Sequence, residues 1–221
     1  MTAATPGDAR LFVWRGIGDW YVEAASVEIG AERVAASGTQ IGSEPVVYRL
    51  DYVLATTAGF ITRALDVTAS GQGWSRRVGL RHDGHGEWTC EARSEGEVDL
   101  PAPGCDAGIL RGALDCDLGR SPLTNVMPIR RLALHRRPAA ADFTMAWVSV
   151  PDLAVVRSAQ RYEHVQRAAD GSSVVRYVDR GPFEGFTSEL ELDAEGFVVV
   201  YPELAERVSD EPALEPGSSI P

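Results

Sequence analysis

The segment Pro45–Ala55, with the sequence PVVYRLDYVLA, decides the fold class because its residues alternate in polarity from the third position onward. One side of the alternation is entirely apolar and consists of Tyr48, Leu50, Tyr52 and Leu54. Successive side chains of a strand point to opposite faces of a sheet, so this spacing predicts a strand with one buried face.

Turn sequences on either side of similar runs extend this pattern along the chain. Three of them combine Asp with a Gly that can adopt positive φ: His82-Asp83-Gly84, Asp170-Gly171 and Asp193-Ala194-Glu195-Gly196. Strand-like runs flank each one, which predicts three hairpins and an antiparallel meander. A long surface loop is expected over residues 93–108, which contain two prolines and three glycines.

Helical signals are few. Pro202–Val208 favours a short helix, with Pro at its start. Ser121-Pro122 resembles an N-cap followed by the first helical residue. Pro128 disfavours the helical conformation of the residue before it, so that turn is expected to be brief and a strand is expected to resume at Ile129.

The length of 221 residues suits a single domain. We expect a flexible leader over residues 1–9 and one β-rich domain over 10–208. The remainder, 209–221 (SDEPALEPGSSIP), has the acidic, Pro-rich and Ser-rich composition of a disordered tail.

The formal net charge of −11 argues against a nucleic-acid partner, because phosphate contacts need a basic face. All 21 basic residues are arginines, so no lysine can form a Schiff base. The first residues lack the apolar core of a signal peptide, and no apolar run approaches the roughly 20 residues of a membrane helix. The sequence therefore predicts a cytoplasmic protein in which Cys90, Cys105 and Cys116 stay reduced.

Catalytic and metal-binding motifs are not recognisable. The chain has no GxSxG elbow and no glycine-rich phosphate loop, and no cofactor is expected. His82 and His85 have the spacing of a ligand pair, but an exposed hairpin tip explains them better. Asp115 and Asp117, with Asp106, form a possible cation site; pairing with arginine is the more economical interpretation.

The arginine-rich run Ile129–Arg137 stands out in an acidic chain. Arg130 and Arg131 precede its apolar part, so one of them is expected to point into the domain. A buried guanidinium requires a carboxylate or a ligand oxygen. Two interpretations stay open: an internal ion pair with Asp115 or Asp117, and a ligand-anchoring role.

A family resemblance rests on two neighbouring segments. Leu114–Leu118 (LDCDL) followed by Ser121–Leu132 (SPLTNVMPIRRL) resembles the signature of the putative glycolipid-binding family, a bacterial domain. Further matching pieces are Thr62-Arg63, Trp147 with Val150-Pro151, Gln160-Arg161-Tyr162 and Tyr201-Pro202. The resemblance covers about residues 12–208. Phe60 and Met127 depart from the family pattern, where Trp and Leu are expected.

The resemblance implies an antiparallel sheet curled into a barrel or half-barrel, similar to the bacterial carriers of lipoprotein acyl chains. It also implies a non-catalytic protein that holds an amphiphile, either a glycolipid or a fatty-acyl compound. The acyl part would lie in the curved apolar sheet and the head would contact Arg and Asn side chains. The candidate ligand-binding residues are Arg63, Asp115, Asp117, Ser121, Thr124, Asn125, Arg130, Arg131, Arg161 and Tyr162.

Two alternatives remain. A hydrolase acting on a similar molecule would use Asp115 or Asp117 as acid or base. An interaction module would have a barrel filled by its own side chains. A large cavity with two carboxylates at its floor would favour the hydrolase.

Overall fold

The fold is a single sheet of fourteen strands, seen in a computed structural model that describes residues 9–208. The first seven strands are β1 (Arg10–Gly16), β2 (Tyr21–Ile29), β3 (Val34–Gly42), β4 (Tyr48–Thr56), β5 (Thr62–Gly71), β6 (Trp74–His82) and β7 (Trp88–Gly96). The remaining strands are β8 (Asp115–Leu118), β9 (Ala140–Val148), β10 (Val155–Arg167), β11 (Ser173–Asp179), β12 (Thr187–Leu192), β13 (Val198–Tyr201) and β14 (Ala205–Arg207).

Helical structure within the described residues is limited to short pieces. The α-helix α1 spans Val126–Arg131, and 3-10 turns span Ala58–Phe60, Ala107–Leu110 and Pro122–Asn125. None of these helices is long and apolar enough to cross a membrane. The expected leader and tail, apart from Ala9, lie outside the described residues.

The strand order is β7-β6-β5-β4-β3-β2-β1-β14-β13-β12-β11-β10-β9-β8. Every pairing is antiparallel except that of β8 with β9, which is parallel. The sheet does not close, because the edge strands β7 and β8 do not pair with each other. The predicted mainly β fold with a half-barrel form is therefore confirmed.

All three predicted hairpins are present, and each uses the side chain of its aspartate in the same way. Asp83, Asp170 and Asp193 accept hydrogen bonds from backbone N–H groups two residues further on. This bond closes the turn locally, while glycine supplies the positive φ that the return of the chain needs. The glycines concerned are Gly84, Gly171 and Gly196.

The alternation in β4 also works as predicted, and it depends on glycines in the neighbouring strand. Tyr48 and Tyr52 are almost fully buried on the inner face of the sheet. They pair directly with Gly42 and Gly38 of β3. A Cβ added at Gly38 would lie 2.5 Å from the Tyr52 ring, and one added at Gly42 would lie 2.6 Å from the Tyr48 ring. The two glycines therefore make room for the tyrosines.

Two expected elements differ in the structure. Residues 202–204 form a turn and Ala205–Arg207 form β14, so the helix predicted over Pro202–Val208 was wrong. Pairing of β14 with β1 and β13 outweighs a weak helical preference. The loop predicted over 93–108 begins only at residue 97, because β7 continues to Gly96 beside β6.

The strand expected from Ile129 is replaced by α1. Pro128 is the third residue of α1, where the missing N–H costs little because the first helical turn leaves its N–H groups unpaired. Met127 and Ile129 are fully buried and join the two hydrophobic clusters of the inner face. The segment Pro122–Arg131 thus fills the space between the two halves of the curved sheet.

Candidate ligand-binding pocket

A cavity of about 520 Å³ lies at the inner face, against the segment that joins β8 to α1. Its walls include five aromatic side chains: Trp147, Tyr177, Phe183, Phe186 and Tyr201. Its polar lining residues include Asp117, Arg120, Ser121 and Asn125. A mainly apolar cavity of this size, with a few convergent polar groups, is typical of a small-molecule site.

The cavity has a buried floor and an exposed mouth. Ser121 and Asn125 are 3% and 5% exposed, and they mark the floor. Asp19 and Glu203 are exposed, and Phe183 is 54% exposed, so these residues mark the mouth. Polar groups therefore lie both deep in the cavity and at its rim.

Asp117 is held at the floor by two hydrogen bonds to different oxygens. Thr124 Oγ1 donates to Oδ1 at 2.8 Å, and Gln160 Nε2 donates to Oδ2 at 2.6 Å. Burial raises the pKa of Asp117 to about 6, and these two bonds oppose the rise. Each carboxylate oxygen can still accept a further hydrogen bond.

Asn125 is fixed by its neighbours rather than left free. Its Oδ1 accepts a 2.8 Å hydrogen bond from Tyr162, and its Nδ2 donates to the carbonyl of Pro122 at 3.2 Å. Tyr162 is buried and also contacts Gln160. This chain links Asn125 to Asp117, so the two polar groups at the floor share one rigid network.

Ser121 faces the opposite side, toward a buried glutamate that sequence reasoning did not single out. Ser121 Oγ and Tyr52 OH both donate to Glu23 Oε1, at 2.6 Å and 2.7 Å. Burial raises the pKa of Glu23 to about 7. Glu23 Oε2 and the Oε1 atom of Gln40, which pairs with Glu23 across β2 and β3, have no hydrogen-bond partner within residues 9–208.

Arg120 is the second residue that sequence reasoning missed. Its φ of 61° lies in the left-handed region, which non-glycine residues rarely adopt. The guanidinium pairs with Asp19 at 2.8 Å and lies 5.5 Å from the centroid of the Tyr21 ring. Its Nη1 is buried and makes no hydrogen bond of normal geometry within the described part of the chain, and the same holds for the neighbouring Tyr48 hydroxyl. Arg120 thus brings an unused donor to the pocket wall.

Arg131 and Asp115 form the internal ion pair that was one of the two open interpretations. Arg131 Nη1 donates to Asp115 Oδ2 at 2.8 Å, and Nη2 contacts Oδ1. Arg131 also donates to the carbonyls of Gly59 and Phe60 at 2.8 Å and 2.9 Å. Burial raises the pKa of Asp115, and the guanidinium opposes that rise. Neither side chain lines the pocket.

Three other arginines in the predicted set also lie away from the pocket. Arg130 donates to the carbonyl of Glu195 at 2.7 Å and stacks over Phe60. Arg161 pairs with Asp142 at 3.0 Å, and Arg63 is exposed on β5. Of the ten predicted residues, the structure brings Asp117, Ser121 and Asn125 to the pocket, with Thr124 and Tyr162 bonded directly behind them.

His82 is a structural residue, and its placement corrects the expected exposed hairpin tip. The ring is buried, stacks on Trp88, and accepts a 2.9 Å hydrogen bond at Nε2 from the Gly86 backbone N–H. His85 is exposed. Across residues 9–208, no three His, Cys, Asp or Glu side chains converge in the manner of a metal site.

A family model described as "Putative glycolipid-binding" matches residues 11–207. The chain belongs to this family. The fold is also similar to the crystal structure of a DUF1089 family protein from Pseudomonas aeruginosa, with a TM-score of 0.63 and 23% sequence identity. That likeness covers 94% of this chain and 98% of the other, and it supports the fold. No curated protein matches the sequence.

Proposed function

We propose that this protein is a non-catalytic binder of a glycolipid-like amphiphile and that the pocket at the β8–α1 segment is its binding site. The observation that carries the proposal is the 520 Å³ cavity itself, with five aromatic side chains and a rigid polar floor. The family description points to the same ligand class. A sheet that only served as a filled scaffold would not need such a cavity.

Binding is favoured over hydrolysis by the positions of the two aspartates. Hydrolysis of a glycosidic bond uses two carboxyl groups on either side of the scissile bond. Asp117 lines the pocket, whereas Asp115 is occupied by Arg131 and does not. The pair proposed for acid–base catalysis is therefore divided between a ligand site and a structural ion pair.

The test is calorimetric titration with n-octyl glucoside below its micelle concentration, together with native mass spectrometry of the purified protein for a co-purifying lipid. Trp147→Ala removes an aromatic wall and should weaken binding about tenfold or more. Leu11→Ala, at a side chain 67% exposed on β1 and away from the pocket, is the control. Equal affinities for the two variants, or no saturable binding of any alkyl glycoside tested, would overturn the proposal.

A further inference from the structure

The floor of the pocket is polar and is formed by Asp117, Ser121 and Asn125, so an acyl chain that entered first would end against hydrogen-bonding groups. We infer that the ligand enters head first. In this arrangement a neutral, hydroxyl-rich head occupies the floor at Asp117 and Asn125, beside Arg120 on the pocket wall, and the acyl chain leaves through the mouth. The inference rests on the proposed function and reverses the orientation that the carrier-like resemblance implies.

The hydrogen-bonding groups at the pocket wall call for a ligand that both donates and accepts. Asp117 can accept one further bond at each carboxylate oxygen. Arg120 Nη1 and the neighbouring Tyr48 hydroxyl are buried and make no hydrogen bond of normal geometry in residues 9–208. A buried donor left unsatisfied is costly, so a ligand acceptor there would be stabilising. A hydroxyl group satisfies both demands, and a sugar ring supplies several hydroxyls within one rigid frame.

The charges around the cavity select against an acidic head. Asp19, Asp117 and Glu203 line the pocket, and among residues 9–208 Arg120 is its single basic lining residue. Arg120 already pairs with Asp19. A phosphate or sulfate group would therefore meet an excess of negative charge in a chain with a formal net charge of −11. Neutral sugar hydroxyls avoid this repulsion, and aromatic rings can cover the apolar faces of the sugar.

The space behind the floor leaves no room for a long chain. Tyr162, which is fully buried, lies directly behind Asn125 and is bonded to it. Apolar surface remains exposed at the other end instead. Phe183 is 54% exposed at the mouth, and Ile17, whose backbone N–H bonds to Leu204 there, is 48% exposed. These side chains can cover the first methylenes of a chain that leaves the pocket.

The two orientations predict that affinity depends differently on the head group and on the length of the alkyl chain. The probes are methyl glucoside, a series of n-alkyl glucosides of increasing chain length, the matching n-alkanols, and n-octyl phosphate. Head-first binding predicts that methyl glucoside competes with octyl glucoside and that affinity levels off once the chain passes the mouth. An acyl chain inside the pocket predicts a gain of about fourfold per methylene until the cavity is full. Octyl phosphate should bind more weakly than octyl glucoside.

Two variants separate the floor from the mouth. Arg120→Asn removes the guanidinium, and Asn tolerates the left-handed backbone. This variant should lower the affinity for methyl glucoside and for octyl glucoside alike, by about tenfold to a hundredfold. Phe183→Ser should lower the affinity for octyl glucoside about tenfold and leave the affinity for methyl glucoside unchanged. Arg77→Asn, on β6 with a side chain 64% exposed, and Leu11→Ser are the matched controls.

The outcomes separate this inference from the function on which it rests. If alkanols bind as tightly as the glucosides, or if affinity climbs steadily with chain length while methyl glucoside never competes, the head-first orientation is overturned and amphiphile binding stands. The head-first orientation is also overturned if Arg120→Asn changes neither affinity. Tighter binding of octyl phosphate would overturn the neutral head. If no probe binds saturably, the proposed function fails as well.

Discussion

Removal of Arg131 should be among the most damaging single changes in this protein. The guanidinium contacts both oxygens of Asp115, a side chain 1% exposed, and two carbonyls of the turn before β5. Arg131→Met retains much of the aliphatic volume but leaves a buried carboxylate without its counter-charge. Breaking a buried ion pair in this way costs about 3–5 kcal/mol in the free energy of unfolding.

Urea unfolding followed by circular dichroism measures this loss. The control is Arg49→Met, because Arg49 makes a two-point contact with Asp51 on the surface, with side chains 64% and 50% exposed. That exposed, solvent-screened pair should contribute much less to the free energy of unfolding than the buried one. Arg130→Met should also cost less than Arg131→Met, since Arg130 donates to a carbonyl and has no buried carboxylate partner in the part of the chain that the structure describes.

The loss of stability in Arg131→Met should also depend on pH in a direction that the burial of Asp115 determines. Without Arg131, burial raises the folded-state pKa of Asp115 further above its unfolded value, so the neutral carboxyl becomes the form that the fold tolerates. The deficit of Arg131→Met should therefore be smallest in acid and grow as the pH rises. A loss under about 1 kcal/mol, or a deficit that shrinks with rising pH, would show that the ion pair does not stabilise the fold as argued.

Three further predictions concern other parts of the chain. Glu23→Gln should flatten the pH dependence of stability. Burial raises the pKa of Glu23 from 4.5 to about 7, so the free energy of unfolding of the wild type falls by on the order of 2–3 kcal/mol between pH 4.5 and pH 7. Urea unfolding from pH 4.5 to 8 checks this difference. Mass analysis under non-reducing conditions should find Cys90, Cys105 and Cys116 as free thiols, as they are in the structure, and a stoichiometric disulfide would contradict this. Truncation after Val208 should leave the thermal midpoint nearly unchanged, because residues 209–221 carry few large apolar groups; a drop of many degrees would contradict it.

Local chemistry in the sequence was enough to predict much of the sheet. The alternation in β4 and the three Asp-containing turns each depend on residues close together in the chain, and all of them fold as expected. Pro202–Val208 shows where this approach fails. Its weak helical preference depends on the same few residues, whereas the strand that replaces it is stabilised by pairing with β1, almost 200 positions away. Such distant pairings leave no local signal.

The candidate site was predicted in part, for a similar reason. Ser121 and Asn125 belong to the proline-bounded segment that stood out in the sequence. Glu23 and Arg120 were missed. Glu23 could have been found in the sequence, because it lies between Tyr21 and Ala25 at a position that the alternation of β2 assigns to the buried face. A carboxyl group buried there must either receive hydrogen bonds or become protonated. Arg120 leaves no such trace in the sequence, because its left-handed backbone and its position on the pocket wall become apparent only in three dimensions.

The segment Ser121–Arg131 performs two tasks, and the division between them explains why its mutations need careful design. Its apolar side chains, such as Leu123 and Met127, join the core, and Arg131 ties the end of α1 to Asp115. Substitutions at these positions alter stability, and any effect on binding follows from partial unfolding.

Asn125 is intermediate, since it lines the pocket but is bonded to Tyr162. Arg120, one residue before the segment, is different because its Nη1 satisfies no group in residues 9–208. The stability of Arg120→Asn should be measured beside its affinity, because Arg120 also pairs with Asp19, and a large loss of stability would show that this pairing is structural.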